Sequence, residues 1–312
     1  MTDFLTNLHI IYTDESPNFS YKTCTSYSMA SIVAPQKYYI EDIEPNWNSL
    51  KKKYNIPNGV CLHFTDIKAL LNPNYYIRSI KYRNPDMEKI FCDGIKLDYT
   101  LLYNFYIDVI NFIKKYAFKI IVSNSYNLKN REFETAVQNT NLNSPWYLLF
   151  KNHLDDLTEY AFREKYSHSK LNFQAKLRYD GDLGLSNKND IRDAFSNSIT
   201  TGTSRFNSKT IRTCFDELRF INKKEVGYCS NCTYVPSCTN KNYSHAGNEI
   251  VDFIAAYAGK YLTMNTNIDH FKNSFPIKKD QAESTYKKSI SLKIGSHYLE
   301  PLSVIIPKIY IF

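Results

Sequence analysis

Leu8-His9-Ile10-Ile11-Tyr12-Thr13-Asp14-Glu15-Ser16 reads as a buried strand that runs into two carboxylates. Ile10, Ile11 and Tyr12 favour extended backbone, and a short unbroken apolar run of this kind belongs inside a sheet. Asp14 and Glu15 end the run, and Ser16-Pro17-Asn18 carries turn chemistry. Carboxylates at such a strand end emerge where open α/β folds place their ligands. The same residues also serve as plain strand-end punctuation, so the reading depends on the rest of the chain. If the strand continues through Glu15, that side chain points to the face opposite Asp14, which makes Asp14 the stronger candidate.

Outward from this strand, residues 26–34 predict a hairpin partner stopped by Pro35. Residues 39–54 carry apolar side chains at spacings of three and four, with Pro45 dividing the stretch. Residues 60–64 lead into a short helix at 65–71 with Thr65 as its cap. Residues 101–116 predict an amphipathic helix, and 118–123 a β-rich run. The longest predicted helix covers 144–166, with Ser144 as cap and Pro145 at its first position. Its buried face is expected from Leu148, Leu149, Leu154, Leu157, Tyr160 and Ala161. Strands at 171–180 and 211–221 flank a helix at 189–199. A helix at 246–262 is rich in small residues and suited to close packing, and the tail at 289–312 is β-like. Alternating strands and helices after an opening hairpin give an α/β fold, a mixed sheet with helices on its faces.

The 312 residues, 43% hydrophobic and 22% charged, suffice for one folded domain across 1–312 and argue against general disorder. Residues 223–245 are the least regular and read as an insertion. The N-terminus lacks a basic start, no apolar run approaches the ~20 residues of a membrane span, and the seven Cys suit a reducing cytosol. The expected location is therefore cytoplasmic, with no membrane partner. Lys and Arg outnumber Asp and Glu by 39 to 31. That excess favours an anionic partner, nucleic acid being the commonest. Twenty-six Tyr and 19 Phe would suit base stacking, although abundant Asn, Lys and Ile point to codon bias as a second source.

Three further stretches join the opening strand. They are Leu62-His63-Phe64-Thr65-Asp66-Ile67, LRYDGDLGLSNKNDI at 177–191, and AGNEIVDFIAAYAGKYL at 246–262. Together with YTDES at 12–16, the TGTSRFNSKTI segment at 201–211 and LRFINKK at 218–224, their order resembles one family. It is the family labelled domain of unknown function 3800, of the ribonuclease H-like superfamily. Its members open with Y-x-D-E-S-G, carry an L-H-x-x-(D/E) segment and close with a G-x-Q-x-A-D helix. Here Pro17 stands where Gly is usual and Val251 where Ala is usual.

The resemblance implies a ribonuclease H-like sheet and a metal-dependent nuclease, or a related phosphodiester-cleaving enzyme, with a defence or mobile-element role. Such enzymes hold two divalent cations, Mg²⁺ or Mn²⁺, between carboxylates of the first strand, a later strand and a C-terminal helix. Asp14 would be the first ligand, Asp180 or Asp182 the second and Asp252 the third. Asp252 is flanked by Ile250, Val251, Phe253 and Ile254, which makes a lone acid there costly unless it is paired. Asp190, at an expected helix start, is a further candidate or a partner of the helix dipole. Glu15 and His63 are candidate catalytic groups, His63 as base or substrate contact. Lys223, Lys224 and Asn248 are candidate substrate contacts. The alternatives are an inert module of the same fold that binds nucleic acid or protein, and an enzyme acting on a small phosphorylated ligand. A homo-oligomer or a partner protein fits either reading.

Cys229, Cys232, Cys238 and His245 lie within the insertion and could hold a structural Zn²⁺, with Cys214 as an alternative fourth ligand. Cys24, Cys61 and Cys92 read as buried small hydrophobes.

Overall fold

The opening hairpin is longer than its apolar run. In the structure, a computed structural model, β1 spans Leu8–Tyr21 and β2 spans Cys24–Pro35, paired antiparallel. Asp14 pairs with Ala30 inside the ladder instead of ending it. Pro17 has no N–H to give to the ladder. The register shifts there, so that Pro17 and Asn18 face Tyr27 alone, a bulge that keeps the arm continuous. The structure describes residues 8–21, 24–57, 60–71, 75, 83–128, 145–167, 173–181, 186–221, 245–263 and 308–311.

The chain leaves β2 through one helical turn and a π turn at Tyr39–Ile43, then enters α1 (Glu44–Lys53). Pro45 falls at the first positions of α1, where a missing N–H costs little. Next come α2 (Phe64–Ala69) and α3 (Pro85–Phe91), the latter capped by Asn84. A two-residue hairpin, β3 (Cys92–Asp93) and β4 (Lys96–Leu97), leads into α4 (Tyr99–Lys115), capped by Asp98. β5 (Lys119–Leu128) pairs with β2, and α5 (Pro145–Ser167) follows.

β6 (Gln174–Asp180) runs parallel to β1. It is followed by α6 (Ser186–Thr201), α7 (Ser208–Cys214) and β7 (Phe215–Ile221). The first four residues of the predicted strand at 211–221 are therefore helix, because the Asn207 side chain accepts the N–H of Thr210 and caps a helix there. α8 (Ala246–Thr263) matches its expected span within a residue.

The result is an α/β fold with a mixed five-stranded sheet, β7-β6-β1-β2-β5, to which β8 (Lys308–Ile311) adds at the β5 edge. Helices cover both faces. α8 crosses β1, β2 and β5 on one face, and α5 packs against β2 and β5 on the other. A second tier lies outside α8, where Trp47, Phe64, Phe105, Phe112 and Tyr106 meet Phe253 or one another edge to face. Enclosed between sheet and tier, residues 246–255 of α8 are buried on every side. Among the described residues no helix is long and apolar enough to cross a membrane.

Candidate functional site

Asp14 and Asp180 come together because β1 and β6 are parallel neighbours. Their ladder ends at Thr13 and Tyr179, so the next residue on each strand is a carboxylate, and both belong to the α8 face. Asp14 is 5% exposed and Asp180 8%. The Asp14 Oδ1 accepts the Glu15 N–H at 2.9 Å. Immediately after Asp180, Gly181 adopts φ 134° and donates its N–H to the Ile221 carbonyl at 3.0 Å. That backbone conformation favours glycine.

α8 reaches this pair through a close approach. A Cβ on Gly247 would lie 2.3 Å from the Tyr12 ring, so only glycine lets the helix sit on β1. The next residue, Asn248, is fully buried. Its Nδ2 donates to Asp180 Oδ1 at 3.4 Å, the long end of hydrogen bonding. Its Oδ1 is buried with no hydrogen-bond partner.

One turn further on, Asp252 faces another segment. Its Oδ2 accepts the Phe64 N–H at 2.7 Å, which caps α2 from a different helix. The expected Thr65 cap is thus replaced: α2 begins at Phe64 with no local side-chain cap. Burial, and secondarily the Asp252 charge, hold the Tyr106 phenol well above its ordinary value.

Glu249 does parallel work. Its Oε1 accepts the Leu62 N–H at 2.7 Å and Lys51 Nζ at 2.6 Å, and its Oε2 accepts Trp47 Nε1 at 2.5 Å. Two carboxylates three residues apart on α8 therefore hold alternate N–H groups of the segment 62–64. Leu62 and Phe64 turn inward, and His63 between them is left outward, its side chain 40% exposed and its Nδ1 4.0 Å from Asp66. Glu249 was not singled out from sequence: Ile250 and Val251 flank it on one side only, a weaker signal than the apolar residues on both sides of Asp252.

Glu15 takes the opposite face, as the alternation predicts. It hydrogen-bonds Tyr179, whose phenol is held well above its ordinary value by burial first, then by the Glu15 and Asp14 charges. A second polar chain unforeseen from sequence runs across that face. Thr13 Oγ1 and Ser31 Oγ are 2.6 Å apart, Ser31 Oγ and His153 Nε2 2.7 Å, and His153 Nδ1 and Ser123 Oγ 2.7 Å. Ser123 donates to Asp156 Oδ2 at 2.7 Å, and Arg205 donates to Asp156 Oδ1 at 3.1 Å. A carboxylate only accepts and burial keeps the imidazole neutral, so the direction of every bond follows. Ser123 gives its proton to Asp156 and accepts the Nδ1–H of His153; Nε2 then accepts from Ser31, which accepts from Thr13. This order requires a neutral imidazole, and burial pushes His153 down to about 3.

Other expected site residues fall elsewhere. α6 starts at Ser186, so Asp190 sits beyond its first turn, half-buried, and the expected helix-start placement does not apply. His245 is buried just ahead of α8, and its carbonyl accepts the Glu249 N–H at 2.9 Å. Cys214 is a buried thiol at the end of α7. Cys61 and Cys92 are only half-buried, because both border surface turns, which corrects the expectation of core thiols. Asp182, Lys223, Lys224, Cys229, Cys232, Cys238 and the Cys24 side chain lie outside the described residues.

Among the described residues no three His, Cys, Asp or Glu side chains gather as a metal-holding group. The donor set at the end of β1 and β6 is instead two carboxylates and an amide oxygen. Oxygen donors of this kind suit a hard cation such as Mg²⁺ or Mn²⁺, and the orphaned Asn248 Oδ1 fits one. No protein-family model, curated protein or solved structure matches the chain.

Proposed function

We propose that the protein is a metal-dependent, phosphodiester-cleaving enzyme acting on nucleic acid, with Asp14 and Asp180 as its central carboxylates. One observation carries the reading: residues far apart in sequence meet at one sheet end as nearly buried oxygen donors, beside an amide oxygen that has no partner. Folding does not retain such an arrangement for stability, since buried acids and unpaired amides both cost free energy. A ribonuclease H-like relationship, implied by the ordered motifs, supports the same assignment. The net charge of +8 supports a polyanionic substrate.

In this reading Asp14 and Asp180 would hold Mg²⁺ or Mn²⁺. When bound, such an ion lowers the pKa of an attacking water and stabilises charge at the scissile phosphate. His63, held outward by the Glu249 and Asp252 clamp, would accept or donate a proton at the substrate. Lys223 and Lys224 remain candidate phosphate contacts, and Cys229, Cys232, Cys238 and His245 a candidate structural zinc set.

The test incubates purified protein with Mn²⁺ and DNA or RNA, single- and double-stranded, beside Asp14→Ala. Cleavage by the wild type that the variant lacks supports the proposal; equal activity in both, or none in either, sinks it. A second reading, an inert binding module, draws on the commitment of Asp252 to the Phe64 N–H. It requires nucleic-acid binding that is indifferent to Mn²⁺ and to Asp14→Ala.

A further inference from the structure

We infer that the ligand α8 gives to the divalent cation is Asn248 rather than Asp252; the inference rests on the metal-dependent reading of the site. Four observations converge on the amide. Asn248 is fully buried, its Oδ1 has no hydrogen-bond partner, and its Nδ2 makes one long contact, to Asp180 at 3.4 Å. Asp252 has one carboxylate oxygen spent on the Phe64 N–H at 2.7 Å. Burying an amide with an unmade hydrogen bond costs free energy. An occupant that satisfies Oδ1 recovers that cost.

The surroundings decide what the occupant is. Asp14, Asp180 and Asn248 Oδ1 all present acceptor oxygens, whereas a water has only two protons to give. The guanidinium nearest in sequence, on Arg178, directs Nη2 to Glu217 at 2.7 Å and Nη1 to the Leu177 carbonyl at 3.0 Å. A divalent cation meets the two carboxylates with matching charge and takes the neutral amide oxygen as a hard third donor. Water completes the shell, as is usual for Mg²⁺ and Mn²⁺. The orientation of the amide is set by the same chemistry: turned over, Oδ1 would face the Asp180 carboxylate oxygen.

Asn248 follows Gly247, the residue that lets α8 lie against Tyr12.

The experiment is Mn²⁺ binding to the full chain, by calorimetric titration and by the paramagnetic resonance signal of free Mn²⁺, without substrate. The variants are Asn248→Ala, Asn248→Asp and Asp252→Asn. Asp252→Asn keeps an oxygen to accept the Phe64 N–H, and Asn248→Asp keeps the size and the donor oxygen, so both preserve the packing. The expected result is a loss of about tenfold or more in affinity for Asn248→Ala, affinity kept or raised for Asn248→Asp, and little change for Asp252→Asn. Mn²⁺ binding lost in Asp252→Asn and kept in Asn248→Ala overturns the inference and leaves the metal-dependent reading standing. A wild type that binds no Mn²⁺ overturns both.

Discussion

Thr13 and Asp14 are neighbours in the chain, yet they open onto opposite faces of one sheet, and the two faces treat polar groups in opposite ways. Behind Thr13 runs a closed chain through Ser31, His153, Ser123 and Asp156 to Arg205, in which every proton has an acceptor. On the Asp14 face, Asp180 lies beside an amide whose oxygen has no hydrogen-bond partner. Satisfied polar networks rigidify a core, whereas half-satisfied ones are poorer than apolar packing. The difference teaches which buried polar group to read as architecture and which as a place for a ligand. A Ser-His pair with an Asp at its end looks like catalytic equipment, but Ser31, His153 and Ser123 are all fully buried and fully bonded. The proposed chemistry belongs to the open face.

α8 offers the sharpest break of this contrast, since Glu249 and Asn248 are adjacent and both fully buried. Glu249 belongs to a closed set, so Glu249→Ala should strand the Lys51 charge and cost about 3–5 kcal/mol in urea unfolding. Replacing both partners, as Lys51→Met with Glu249→Met, should recover the part of that loss that comes from the stranded charge, while the Leu62 and Trp47 N–H groups stay unpaired. A double variant no better than the single would show that Lys51 is not the group left uncompensated.

The closed face should also announce itself through pH. His153 has an ordinary value of 6.5 and is pushed down to about 3 by burial. Its folded value lies below its unfolded one, so the unfolded chain takes up the proton first. Stability is complete above pH 6.5 and falls as the pH drops toward 3. This imidazole contributes a loss on the order of 4 kcal/mol across that window. Urea midpoints measured from pH 7 to pH 4 should lose that part of the slope in His153→Gln. An unchanged slope would place the neutral imidazole elsewhere in the account.

The smallest effect is expected on the open face. Asn248→Leu removes an amide that makes one long bond, so without divalent cation its unfolding midpoint should match the wild type or exceed it by up to about 1 kcal/mol. A loss of several kcal/mol would mean that the amide is satisfied and the face closed.

Much of the fold was legible because its signals are local. The limits of α8, the start of β1 and the hairpin with β2 follow from apolar periodicity, Pro35 and small residues. Errors arose where a distant partner overrode local chemistry. β1 continues past Asp14 because β2 keeps pairing with it. α2 starts at Phe64 because Asp252 supplies the cap. For the candidate site, Asp14, Asp180 or Asp182, and Asp252 were expected to share one metal site and Asn248 to touch substrate. The structure brings Asp14 and Asp180 to one sheet end with Asn248 against Asp180, while one Asp252 oxygen takes the Phe64 N–H. His153 gave no signal at all, since a histidine inside a long helix looks the same whether bonded or free.

By itself, then, the sequence determined the α/β class, the opening hairpin, the helix that closes the site, and the opposite facing of Asp14 and Glu15. These depend on neighbours within a turn or a strand. Only the tertiary structure decided that Asp14 meets Asp180, that Asn248 joins them and that Asp252 turns to Phe64. Those outcomes depend on the register of a parallel ladder and on how closely Gly247 lets α8 approach Tyr12. Neither quantity is set by residues adjacent in the chain.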